Sequence, residues 1–194
     1  MHWNLLSKTE NCLEYQSDNG DVMVVDIISP NGKIEKGESQ LPIYRNWIRE
    51  QAVQEGGGLI LCEDLKTENG LEGYESITKN PREGTTGMDY IYFLNLNNYE
   101  EQKLYQIRVK IFEMNPTGLR DNMSMHPICE IANIDMGELL GLYRQDPYQA
   151  EFKMGNMMNI SERAEFDEFF PFHPLSIIRR EIRPNMKKKL RFDR

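Results

Sequence analysis

The sequence predicts an α+β protein in which an antiparallel β-sheet meander is flanked by helices and followed by a helical C-terminal extension. Three observations predict it. Four strand-like segments follow one another between Leu59 and Phe112; the first two are separated by Asn69-Gly70, a strong hairpin signal; and helical periodicity is confined to the residues on either side. We place the antiparallel core in residues 1–125 and the helical extension, packed on that core, in 126–194, ending in a basic tail at 184–194.

In chain order, Leu13-Glu14-Tyr15 and the run Val22 to Ile28 read as a β pair around Asp18-Asn19-Gly20-Asp21, ended by Pro30-Asn31-Gly32. Leu41 to Glu55 reads as a helix, with Pro42 in its first turn and a stripe of Tyr44, Trp47, Ile48, Gln51 and Ala52. Gly56-Gly57-Gly58 ends it. That triplet follows a helix instead of opening one, so the dipole points the wrong way for a phosphate.

The meander segments are 59–64, 71–78, 90–96 and 104–112. Each is short, rich in β-branched and aromatic residues, and bounded by turn residues. The last alternates, with Leu104, Gln106, Arg108 and Lys110 on a wet face and Tyr105, Ile107, Val109 and Ile111 on a buried one. Beyond His126 the pattern turns helical: 135–144, a helix capped by Ser161 that buries Phe166, Phe169 and Phe170, and a last helix from His173-Pro174 through Leu175, Ile178 and Ile182 to Pro184.

A chain of 194 residues, 39% hydrophobic and 28% charged, supports one good core. No apolar run is long enough for a membrane span. The start, Met1 to Lys8, lacks the charge and apolar run of a secretory signal, so a cytoplasmic location is expected. A net charge of −8 argues against nucleic acid, whose binding rests on phosphate neutralisation. From Arg179 to Arg194 eight basic residues stand against two acidic ones, a tail able to dock on an acidic partner, on anionic lipid or on the protein's own acidic body. Three scattered cysteines with no C-x-x-C pair make no disulfide framework.

Asn69-Gly70-Leu71-Glu72-Gly73, the strand pair Tyr90 to Leu96 and Leu104 to Phe112, and Thr117-Gly118-Leu119-Arg120 together resemble the Mog1/PsbP-like superfamily, over at most the first two-thirds of the chain. Its bacterial members include small effector adaptors associated with type VI secretion. The resemblance implies a sheet sandwiched by helices, used for protein binding and generally without catalysis. The run Phe166 to Ser176 resembles the ends of bacterial proteins from secretion and toxin-immunity neighbourhoods.

Residue chemistry adds little that is catalytic. His126 and Cys129, three apart, can share a helix face, but a structural metal site needs two more ligands and no other His or Cys pair exists. As a nucleophile pair, His126 with Cys129 or His173 with Ser176 supplies the residue types of a small hydrolase or transferase, without a Gly-x-Ser-x-Gly elbow. The first expectation is therefore a non-enzymatic protein-binding module, an effector adaptor or chaperone or an immunity protein, with no cofactor and no metal. Its partner is another protein, a secreted effector or toxin; homodimerisation stays open. The candidate contact residues are Arg82, in a loop held by the sheet, Tyr92 and Tyr105 on the sheet, and Met154, Met157, Met158 and Phe172 in the Met- and Phe-rich C-terminal third.

Overall fold

The computed structural model describes residues 2–85, 87–113, 120, 129, 130, 135 and 144–188. Seven strands form one sheet: β1 (Trp3–Lys8), β2 (Cys12–Ser17), β3 (Val22–Ile28), β4 (Gly58–Lys66), β5 (Glu72–Pro81), β6 (Met88–Asn98) and β7 (Lys103–Phe112). Their order across the sheet is β1-β2-β3-β7-β6-β5-β4, and neighbouring strands are antiparallel throughout. Helix α1 (Leu41–Gln54) connects β3 to β4 and carries the chain from the middle of the sheet to its far edge. The fold class is thus α+β with an antiparallel sheet, and the four expected meander strands are β4 to β7.

Two hairpin turns are built alike. In Ser17-Asp18-Asn19-Gly20-Asp21 and Thr67-Glu68-Asn69-Gly70-Leu71 the glycine takes a positive φ, +86° and +84°. The leading hydroxyl accepts from the N–H four residues on, Asp21 N at 3.1 Å and Leu71 N at 3.0 Å. The Ser/Thr side chain thereby satisfies a backbone donor that the tight turn leaves over.

Register decides which face is which. Met23↔Val109↔Tyr92↔Ile77 and Val25↔Ile107↔Leu94↔Glu75 line up across four strands. They make the buried face, completed by Tyr90, Leu96, Tyr105 and Ile111. The alternation read in 104–112 holds, with the odd-numbered residues buried. A C-terminal helix, α2 (174–188), lies on this face and adds Leu175, Ile178 and Ile182 to the same core. It comprises an α-helical turn (Pro174–Ile177), a π-helical turn (Ile178–Ile182) and a final α-helical stretch (Arg183–Lys188). Pro184 was expected to end this helix, and it does not. Proline lacks an N–H and crowds the carbonyl four residues back, and the widened π-helical turn before it makes room for the ring.

The opposite face receives α1, whose Ile48 packs with Leu59 and Cys62 against half-buried Leu41, Tyr44, Phe93 and Tyr148. The inward stripe is rotated from the expected one: Ile48, Arg49 and Ala52 are buried, Gln51 is exposed and Trp47 is 49% exposed. Arg49 is inside because Asp146 receives both its Nε (2.7 Å) and Nη2 (2.9 Å), a paired fork that periodicity alone does not reveal. Further expectations are corrected. Asn159, not Ser161, is the capping residue, in a reciprocal capping box with Glu162, and the chain it caps forms two 3-10 turns (Ile160–Glu162 and Ala164–Phe166) in place of one helix. Phe166 is buried there, but Phe169 is 57% exposed. Strand β1 was not expected; it is an edge strand with Leu5 and Leu6 exposed, so no burial pattern marks it.

The glycine triplet does more than stop α1. Gly56 takes the left-handed cap position (φ +75°). An added Cβ on Gly57 would stand 2.1 Å from the Lys79 carbonyl oxygen, and one on Gly58 1.9 Å from that of Asn156. Gly58→Ala is therefore expected to destabilise the protein by about 2 kcal/mol or more, since backbone rather than a flexible side chain must yield; a urea midpoint equal to wild type would contradict this packing. No helix among the described residues is long and apolar enough to cross a membrane.

Candidate functional site

A cleft of about 540 Å³ opens where the β2–β3 turn, the end of β7 and the entry to α2 meet. Its apolar walls are Ile111, Phe112, Phe169, Phe170, Phe172 and Ile177. The polar groups lining it include Asp21, Glu113, Arg120 and His173. Local sequence explains the aromatic rim. Pro171 and Pro174 interrupt helix formation between Phe166 and Leu175, so the side chains between them are not gathered onto one buried helical stripe. Phe172 is consequently 84% exposed and Phe169 57% exposed.

The polar floor is organised by Arg120. Its Nε donates to the Ser161 carbonyl (2.6 Å), Nη1 to Ser176 Oγ (3.0 Å) and toward His173 Nδ1 (3.4 Å), and Nη2 to the Arg163 carbonyl (3.2 Å) and Asp167 Oδ1 (2.9 Å). All five guanidinium donors are thus engaged. His173 Nδ1 also accepts from Leu175 N at 3.3 Å, capping α2. Arginine cannot accept, so the imidazole proton sits on Nε2, which faces Glu113 Oε1 at 3.7 Å. Glu113 Oε2 accepts from Met88 N (3.1 Å), and Asp21 accepts from Phe112 N (3.1 Å) and Ser17 Oγ (2.9 Å). Tyr90 meets the His173 ring edge-on at 5.0 Å.

On the buried face of the sheet stand two charge clusters. Glu162 receives Lys79 Nζ (2.6 Å), Tyr90 Oη (3.0 Å) and Asn159 N (2.8 Å). Burial pushes its carboxyl up, but Lys79 and these hydrogen bonds outweigh that and hold it below the usual carboxylate range. Glu75, fully buried, receives Tyr92 Oη (2.9 Å), both Nε (2.8 Å) and Nη2 (2.7 Å) of Arg183, and Lys187 Nζ (3.0 Å). Burial raises it as well, and the hydrogen bonds from Arg183 and Lys187 lower it further than burial raises it. Of the three destinations open to the basic tail, Arg183 and Lys187 take the protein's own body.

The structure separates the sequence candidates. Phe172 alone of the seven lines the cleft. Tyr92 is fully buried and Tyr105 nearly so, so neither presents a surface to a partner; both lie on the core side of the sheet, which α2 covers. Arg82 is half-buried, bonded to Asp89 (2.8 Å) and lying over the Phe112 ring (4.8 Å). Met154 is exposed, Met157 half-buried, and Met158 packs on the core. Ser176 is fully buried and donates to Asp167 Oδ1 (3.1 Å), not to His173, so these two are not arranged as nucleophile and base. His126 lies outside the described residues; Cys129 is a half-buried free thiol. Cys62 is buried, and burial pushes its thiol up to about 11, away from nucleophilic use. Among the described residues no group of three or more His, Cys, Asp or Glu is placed to hold a metal ion.

Sequence reading missed Asp21, Glu113 and the hub role of Arg120. The available signal was the Thr-Gly-x-Arg stretch containing Arg120, which marked the position without giving its partners 41–56 residues downstream. Compared with known families and with curated proteins, the chain matches no family model and no curated sequence.

Proposed function

We propose that this is a non-enzymatic, cytoplasmic polypeptide-binding module of Mog1/PsbP-like type, acting as an adaptor or chaperone for a secreted effector. The observation that carries the reading is the aromatic cleft, with Phe172 84% exposed at its rim. A large exposed aromatic beside a concave apolar surface marks a place where a partner buries area. The cleft's concavity supports the adaptor role over the immunity role, which calls for a flat or protruding acidic surface. The engaged state of Arg120, Asp167, Ser176 and His173 supports a structural use of these groups over a catalytic one.

The test is affinity capture from the native lysate, read by mass spectrometry, with wild type, Phe172→Ser and an exposed control, Arg180→Ala, in parallel. One effector or toxin should be enriched by wild type and Arg180→Ala and depleted about tenfold or more by Phe172→Ser, in keeping with the loss of a central aromatic anchor. Phe172→Ser should leave the melting temperature unchanged. Absence of any specific polypeptide, or equal enrichment by all three proteins, would sink the reading.

A further inference from the structure

We propose that the cleft selects ligands with an apolar body and a cationic head, and that its occupant is a Lys- or Arg-bearing aromatic segment of a partner polypeptide. The inference deepens the binding-module reading and rests on it only for the source of the cation.

The argument starts from what each wall can offer. Phe169, Phe170 and Phe172 supply ring faces, Ile111, Phe112 and Ile177 aliphatic and aromatic surface, and a volume of about 540 Å³ admits one or two large side chains. An apolar body is therefore accommodated without regard to charge. Selection has to come from the polar groups, and these are asymmetric. The two basic residues in the lining have nothing to give an anion. Arg120 has all five donors committed within the protein, one of them to Asp167 at 2.9 Å, a carboxylate it shares with Arg179. His173 accepts at Nδ1 and directs its single Nε2 proton toward Glu113.

The two acidic residues retain capacity. Each carboxylate has about four lone-pair sites. Asp21 uses one per oxygen, on Phe112 N and Ser17 Oγ; Glu113 uses one on Met88 N, with His173 Nε2 3.7 Å from its other oxygen. A cation entering between them gains acceptors from these carboxylates and attraction from the phenylalanine faces. An anion entering at the same place meets two carboxylates, and neither Arg120 nor His173 has a donor left to offset them; the neutral amide of Asn19, also in the lining, favours neither charge.

The probes are 4-phenylbutylamine, 4-phenylbutanol and 4-phenylbutyrate, which share a body and differ in head charge, together with two capped tetrapeptides, one containing Phe-Arg and one Phe-Glu. Binding is measured by titration calorimetry at low and moderate salt, against wild type, Phe172→Ala and Glu113→Gln. The expected order is amine over alcohol over carboxylate, with amine and carboxylate separated by about tenfold or more. The Phe-Arg peptide should bind and the Phe-Glu peptide should not. Glu113→Gln keeps the acceptor for Met88 N and should narrow the amine–carboxylate gap, while Phe172→Ala, at an exposed site where folding is not at risk, should weaken every ligand.

Binding of the carboxylate as tightly as the amine, or an amine affinity unchanged by Phe172→Ala, would overturn the proposal. So would failure of both the amine and the Phe-Arg peptide to bind, even if affinity capture still yields a partner, in which case the module reading survives without this selectivity. Binding of the free amine but not the peptide would support the cation chemistry and overturn the polypeptide source.

Discussion

Arg183→Met is expected to destabilise the protein by about 3–5 kcal/mol, because it leaves Glu75 as a buried charge short of its main counterion. Glu75 is fully buried on β5, and Arg183 gives it two of its four hydrogen bonds. Lys187 and Tyr92 remain, but a single ammonium does not reproduce the planar fork. For a chain of this length the loss corresponds to about 10 °C in melting temperature, readable by circular dichroism. The paired replacement Glu75→Leu with Arg183→Met should recover most of the loss, since an apolar pair removes the uncompensated charge altogether. If the single variant melts with wild type, α2 is not anchored through this contact.

Glu75, together with Glu162, also sets a pH dependence. The folded-state carboxyls of Glu75 and Glu162 are both held below the usual range, so each contributes stability that is present above the unfolded-state value near ~4.3 and is lost as pH falls through the lowered folded-state value. Stability should therefore decline with acid below about pH 4.5, and Glu75→Gln, weaker at neutral pH, should show a shallower decline. A wild-type urea midpoint independent of pH across that window would exclude both carboxylates as the cause.

Arg120→Ala is expected to cost a comparable amount, about 3–5 kcal/mol. It strips hydrogen bonds from two carbonyls, Ser161 and Arg163, from the fully buried Ser176 hydroxyl and from Asp167, which keeps Arg179 (3.2 Å) as a charged partner and the Ser176 hydroxyl (3.1 Å). Arg120→Lys should rescue less than half of that, because a compact ammonium cannot address three segments at once. Full rescue by lysine would mean that charge alone, not the fork, holds the floor of the cleft.

Much of the sheet was legible because its signals are local. The Asn-Gly turns, the alternation in Lys103–Phe112 and the Pro42 start of α1 each state a backbone requirement within a few residues. Strand β1 was not legible because an edge strand with exposed Leu5 and Leu6 carries no alternation of buried and wet positions. The continuation of α2 through Pro184 was hidden because a π-helical turn relieves the proline, and that turn has no sequence mark of its own.

The candidate site was legible only in its aromatics. Phe172 was picked out by composition, whereas Tyr92 and Tyr105 look equally available in sequence and are buried by the packing of α2 onto their face. The sequence by itself determined the α+β class, the antiparallel meander with its turns, and the acidic body with a basic end. The tertiary structure alone decided which aromatics remain exposed, which carboxylates acquire counterions and which cation has no donor left to give. The physical reason is range: turn and pattern preferences act over a few residues, while burial and ion pairing depend on contacts such as Glu75 with Arg183, 108 residues apart.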